Sequence, residues 1–269
     1  EENSRSYCQF AGAPTSVYDY RSADGDDDVV TRSRYADWFA EEGDDAVYLS
    51  WHSNAGGGRG TSTYVYGPNE PNGEYIFTGT AGSDALGRLV HEELMNDFWA
   101  AFDPSWRDRG LLTAWFGELN PDHNDETPAC LIEVAFHDDP DDADYLLDPR
   151  FRQTAARAVY QGIARYFAER DGVPVELLPE PPNWVAVQAD GPSSLLVRWG
   201  PSPVDDLDLG GQGADSYRVY TSRDGFAFDN GVPVVGSSHR LEGLSAGEPL
   251  FVRVTAVNDG GESFPSAVH

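Results

Sequence analysis

A chain of 269 residues with 40% hydrophobic and 12% aromatic residues is long enough for about two packed domains. Its 18 basic residues, all of them arginine, face 46 acidic ones for a net charge of −28. Such a surface repels phosphate backbones, which excludes a phosphate-tracking nucleic-acid binder and a polybasic membrane anchor. No apolar run approaches the roughly 20 residues of a spanning helix, and without lysine any cation at an active site is arginine, histidine or metal.

The chain starts at Glu1 without an apolar leader and stops at His269 in a strand-like run, as expected of a fragment. Residues 31–42 read as a helix capped by Thr31, with Tyr35, Trp38 and Phe39 on one face. Residues 46–51, AVYLSW, read as a buried strand that empties into the loop HSNAGGGRG immediately before His52. Ser83 is expected to cap a second helix, with Leu86, Leu89, Val90, Leu94 and Phe98 at the 3.6-residue period. Residues 111–116 and 129–136 are further strand candidates. Asp148-Pro149 carries the cap and first-turn signal of a long helix buried through Phe151, Ala155, Ala158, Val159, Gly162, Ile163, Tyr166 and Phe167. The proline-rich stretch GVPVELLPEPPN closes this part, and only short strand-like runs follow. The pattern predicts a three-layer α/β domain over residues 1–171, a linker over 172–181 and an all-β domain over 182–269. Cys8 and Cys130 leave two possibilities open, a disulfide or two free thiols, the second packed in an apolar run.

Glu133 is the most informative residue, because every neighbour in ACLIEVAF is apolar. An ionised carboxylate there costs several kcal/mol unless it is paired or faces a polar site, which makes it a candidate general base beside a metal. His52 lies at a strand's carboxyl end, where open α/β sheets place their ligands, and is a candidate metal ligand. His137 follows Glu133 by four residues, beside an acidic run read as helix cap and solvated surface. His123 is a candidate for lining a cleft. His91 is expected to pack or lie exposed, and His239 and His269 to sit on the surface. No Walker loop, G-x-S-x-G or H-E-x-x-H is present.

SWHSNAGGGRGTSTYVYG resembles the S-x-H-x-N-A … G-x-x-T-Y block of the zinc-dependent N-acetylmuramoyl-L-alanine amidases. PACLIEVAFHDDPDDADYLLDPRFRQTAARAVYQGIARYF resembles that family's closing block, and together the match covers about residues 15–168. The resemblance implies an amidase fold with a mixed sheet between helices. It implies Zn2+ as cofactor, with His52 as a zinc ligand, Glu133 as the catalytic glutamate and Asn54 as a substrate-binding residue. The substrate it implies is peptidoglycan, cut between N-acetylmuramic acid and L-alanine, in an extracellular or periplasmic setting. Two further ligands, a histidine in a G-H-G-G turn and a helix glutamate, are expected upstream of Glu1, so these residues carry an incomplete metal site. Ser62 stands where the family often has Glu.

The second domain resembles fibronectin type III, with Trp199 as the strand-B core tryptophan, Tyr217 and Tyr220 in strand C, and Leu250 in place of the corner tyrosine. The resemblance implies an immunoglobulin-like sandwich that acts as a spacer or contacts a surface or polysaccharide. The leading expectation is a cell-wall amidase. The alternative is a catalytically inactive wall-binding or scaffold protein with a degenerate amidase domain.

Overall fold

A computed structural model describes residues 3–41, 43–204 and 211–269. The chain divides into two compact units, Glu1–Val173 and Pro174–His269.

The first unit opens with α1 (Ser4–Phe10), α2 (Thr15–Tyr18) and α3 (Asp24–Phe39). The expected helix at 31–42 is therefore the second half of α3. Thr31 is no cap but a buried mid-helix residue whose hydroxyl approaches Val17 O. Trp38 and Phe39 stay exposed, with Tyr35 stacked on Phe39. The helix begins earlier because Asp24, Asp26 and Asp27 fill its first turn, where carboxylates complement the helix dipole.

Four strands form a mixed sheet: β1 (Tyr48–Asn54), β2 (Thr61–Tyr66), β3 (Asp108–Ala114) and β4 (Ala129–Phe136), in the order β1-β4-β2-β3. β4 runs parallel to β1 and antiparallel to β2, and β2 runs parallel to β3. Alternation along β4 sorts its side chains by face. Cys130, Ile132 and Val134 join the main core, built with α4 (Ser83–Ala101) and α6 (Pro149–Asp171). Ala129 and Leu131 pack on the other face with Tyr48, Tyr64, Tyr66, Phe116 and Leu119. α3 meets that face through a 3-10 turn, Gly117–Leu119, whose Glu118 pairs with Arg32.

The predicted stripes on α4 and α6 form the main core, with Leu86, Val90, Leu94, Phe98, Phe151, Ala155 and Ala158 buried. Ser83 is the first residue of α4 rather than its cap, and its hydroxyl accepts from Ala129 N. Asp148 caps α6 as expected, accepting from Arg150 N at 2.8 Å. Between the two lies α5 (Pro140–Leu147), capped by Asp139. Cys8 and Cys130 are both free and buried in separate clusters, and burial pushes the Cys130 thiol up to about 12.

The second unit pairs β5 (Val185–Ala189), β6 (Leu195–Trp199) and β9 (Ser238–Leu241) in one antiparallel sheet. The other sheet contains β7 (Ser216–Ser222), β8 (Val232–Val234), β10 (Phe251–Asn258) and β11 (Gly261–Glu262). Val185, Val197, Trp199, Val219, Val252 and Val254 fill the space between them, and Trp199 lies 5.5 Å from Tyr217 between ring centres. Leu250 packs at the edge of this core as an aliphatic residue. Beyond β11 the backbone returns along β10, with Ser266 N donating to Val254 O and Val252 and His269 exchanging bonds.

Candidate active site

His52 is a residue of β1 rather than of the loop after it, because the strand extends to Asn54. That extension sets it directly beside Glu133, since β1 and β4 pair His52 with Glu133 before a bulge leads to Asn54 and Phe136. On the other side of β4, Ser62 of β2 is the partner of Glu133. Glu133 is half-buried, and among the described residues its Oε2 and the Ser62 Oγ have no hydrogen-bond partner. Burial pushes the Glu133 carboxyl above the usual carboxylate range. His52 and His137 oppose that shift, and Glu118 adds to it. A carboxyl whose pKa is raised is a stronger proton acceptor than an ordinary exposed carboxylate, which is what a general base needs.

Sequence reasoning missed Glu118, which is buried and organises the His52 side. Its Oε2 lies 3.2 Å from His52 Nε2 and accepts from Ser50 Oγ, while Arg32 Nη1 donates to its Oε1 at 2.5 Å. Ser50 Oγ is 2.9 Å from the same His52 nitrogen. A carboxylate at Nε2 favours the proton there and leaves the lone pair on Nδ1. Tyr48 OH completes the group at 3.4 Å from Glu118. Burial, and then the Glu118 charge, raise its pKa above the ordinary phenol value.

The loop between β1 and β2 is held by the acidic run at the start of α5. Asp138 accepts from Gly56 N and Gly57 N at 2.8 and 3.1 Å. Asp142 is fully buried: its Oδ2 accepts from Gly60 N and Phe136 N, and its Oδ1 from Arg59 Nε. Asp139 caps α5 and Asp138 and Asp141 are exposed, as the sequence reading has them, whereas Asp142 departs from it by being buried. Gly58 has no room for a side chain, because a Cβ there would stand 2.6 Å from the Phe136 ring and 3.1 Å from Arg109 Nη1. A cleft of about 450 Å³ opens beside the loop against Asp103, Trp106 and Arg107.

Asn54 ends β1 half-buried, its Oδ1 accepting from Ala55 N and its carbonyl from His137 N. His137 Nδ1 lies 3.0 Å from Ser53 Oγ, at the rim of the site. His123 is buried, with Nε2 3.1 Å from Arg21 and Nδ1 3.1 Å from Gly117 O. His91 is buried between Thr63 Oγ1 and Asp108 Oδ1.

An imidazole and two carboxylates are donors that suit zinc. Among the described residues, however, no three His, Cys, Asp or Glu side chains gather into a set able to hold a metal. The residues present do not by themselves fit a zinc ion.

The family model described as N-acetylmuramoyl-L-alanine amidase matches residues 9–165, and the fibronectin type III domain model matches residues 180–269. N-acetylmuramoyl-L-alanine amidase CwlM of Bacillus licheniformis is 36% identical over 45% of this chain and 40% of its own length. The germination-specific N-acetylmuramoyl-L-alanine amidase of Bacillus subtilis is 25% identical over 48% and 47%. The solved N-acetylmuramoyl-L-alanine amidase from Clostridium difficile 630 is 22% identical over 55% of this chain and 71% of its own, with a TM-score of 0.42. The matched region thus spans less than half of these two curated relatives.

Proposed function

This chain belongs to the N-acetylmuramoyl-L-alanine amidase family, and we propose that its first unit acts on peptidoglycan, hydrolysing the amide between N-acetylmuramic acid and the L-alanine of the stem peptide. The observation that carries the proposal is the pairing of His52 with Glu133 on adjacent parallel strands, with a buried oxygen of Glu133 left without a partner. In this reading Glu133 takes the proton from the attacking water and delivers it to the departing amine. Asn54 contacts the substrate, and Glu118 holds the His52 ring in orientation. His52 is one ligand of a zinc ion whose remaining ligands are not supplied by the described residues. An extracellular or cell-wall setting and a surface-contact role for the fibronectin type III domain belong to the same proposal.

The test is incubation of the chain with purified peptidoglycan in excess zinc, with the products identified by mass spectrometry. Weak cleavage confined to the lactyl–alanine bond is expected. Glu133→Gln should lower it about 10²- to 10⁴-fold. Cleavage at another bond, or wall binding without cleavage, would overturn the hydrolytic reading. Zinc affinity measured by equilibrium dialysis should be weak, and tight one-to-one binding would contradict the incomplete ligand set.

A further inference from the structure

The row of side chains that contains His52 and Glu133 does not end at Ser62. β3 carries one extra residue against β2: Thr61 pairs with Asp108 and Thr63 with Leu111, so Ser62 faces the bulged pair Arg109-Gly110. Asp108 and Leu111 both turn to the face of the main core, Asp108 onto His91 of α4 and Leu111 against the core cluster. Arg109 turns to the opposite face, over Phe136, with its guanidinium carbon 4.9 Å from the ring centre. His52, Glu133, Ser62 and Arg109 thus lie side by side on four adjacent strands. At about 4.8 Å between strands, Arg109 starts roughly 10 Å from Glu133.

What Arg109 lacks is a counter-charge. Its Nε is buried without a hydrogen-bond partner, and among the described residues no carboxylate pairs with it. The contrast with Arg59 in the adjoining loop is direct, since Arg59 meets Asp139, Asp141 and Asp142. In a chain with 46 acidic residues and 18 arginines, a half-buried guanidinium beside the site has had ample opportunity to be neutralised. The Phe136 ring and the Gly58 backbone lie against it. Its planar fork is the donor geometry that matches a carboxylate through two parallel hydrogen bonds.

We propose that Arg109 is a specificity-determining residue that binds a carboxylate of the substrate's peptide, one residue or so from the amide lying over His52 and Glu133. The inference rests on the amidase reading and adds to it a requirement for an acidic peptide. The cation–ring contact preorganises the guanidinium and leaves its outer nitrogens to the ligand.

The test is calorimetric binding of two probes, N-acetylmuramoyl-L-alanyl-D-glutamate and the same glycopeptide with the α-carboxylate converted to a carboxamide. The unaltered chain should bind the acid about tenfold or more tightly than the amide, the factor that one charge-assisted hydrogen-bonded contact supplies. Arg109→Gln should abolish that preference by bringing the affinity for the acid down to that for the amide, and Arg109→Lys should retain part of it. Equal affinity for the two probes, or a preference that survives Arg109→Gln, overturns the assignment and leaves the amidase reading standing. Binding of neither probe by the unaltered chain overturns the amidase reading and this inference with it. Because acid and amide are compared on the unaltered chain, the result does not depend on a variant folding.

Discussion

Asp142 shows how much one carboxylate can hold at the level of single residues. Its oxygens satisfy two buried backbone N–H groups, at Gly60 and Phe136, and the Arg59 side chain. Asp142→Ala would leave both N–H groups unsatisfied in a buried place and should destabilise the first unit by about 3 kcal/mol or more. Denaturant unfolding measures this, and a loss below about 1 kcal/mol would show that water replaces the carboxylate. Nothing in the local sequence distinguished Asp142 from its acidic neighbours, since its role comes from a loop folded back from far upstream. Glu118 was hidden for the same reason, lying in a polar turn whose meeting with His52 is purely tertiary. Glu133 was legible because a charge inside an apolar strand conflicts with its surroundings, and His52 because a histidine closing an apolar run stands at a sheet end. Arg109 carries no such local conflict, and its isolation became visible only against the positions of the other charges.

Among the elements, α4 and α6 are in tight contact at Gly162, where a Cβ would lie 2.6 Å from Val90 Cα and 2.9 Å from Val90 N. Two effects of Gly162→Ala oppose each other. Alanine in a helix interior gains about 1 kcal/mol over glycine, whereas overpacking against backbone costs about 1–3 kcal/mol. The contact is to backbone atoms that cannot rotate away, so net destabilisation is expected, read as a lower thermal midpoint. A rise would mean that the helices separate freely. Both helices were readable from their apolar period, because a stripe that packs on a sheet has to be written into the sequence. α1, α2 and the first half of α3 were not, since their segment is largely polar and its small cluster of Cys8, Ala13 and Val17 follows no helical period. Strand β1 was read short because Trp51, His52 and Ser53 alternate exposed and half-buried positions rather than continuing the apolar run.

Over the whole molecule the balance of charge sets the response to salt. Individual exposed ion pairs are worth about 0–1 kcal/mol each, and most arginines already have a carboxylate nearby. The excess of 28 negative charges opposes the compact state by mutual repulsion. Salt at about 1 M shortens the screening length to about 3 Å, from about 30 Å at 0.01 M. The thermal midpoint should therefore climb across that range. A falling midpoint would place the ion pairs above the repulsion in importance.

The strand order β1-β4-β2-β3 carries a consequence for how the first unit comes into being. β1 and β2 follow one another in the chain yet do not pair, because β4 occupies the place between them. The glycine-rich loop must therefore bridge the end of a strand that is synthesised only after α4 and β3. No local hairpin can nucleate this sheet, and closing it waits on contacts of long sequence separation, the class that slows folding. The insertion of β4 both completes the sheet and brings Glu133 between His52 and Ser62. In a refolding experiment, protection from hydrogen exchange of the β1 amides that bond to β4 and assembly of the catalytic row should thus arrive in a single late event.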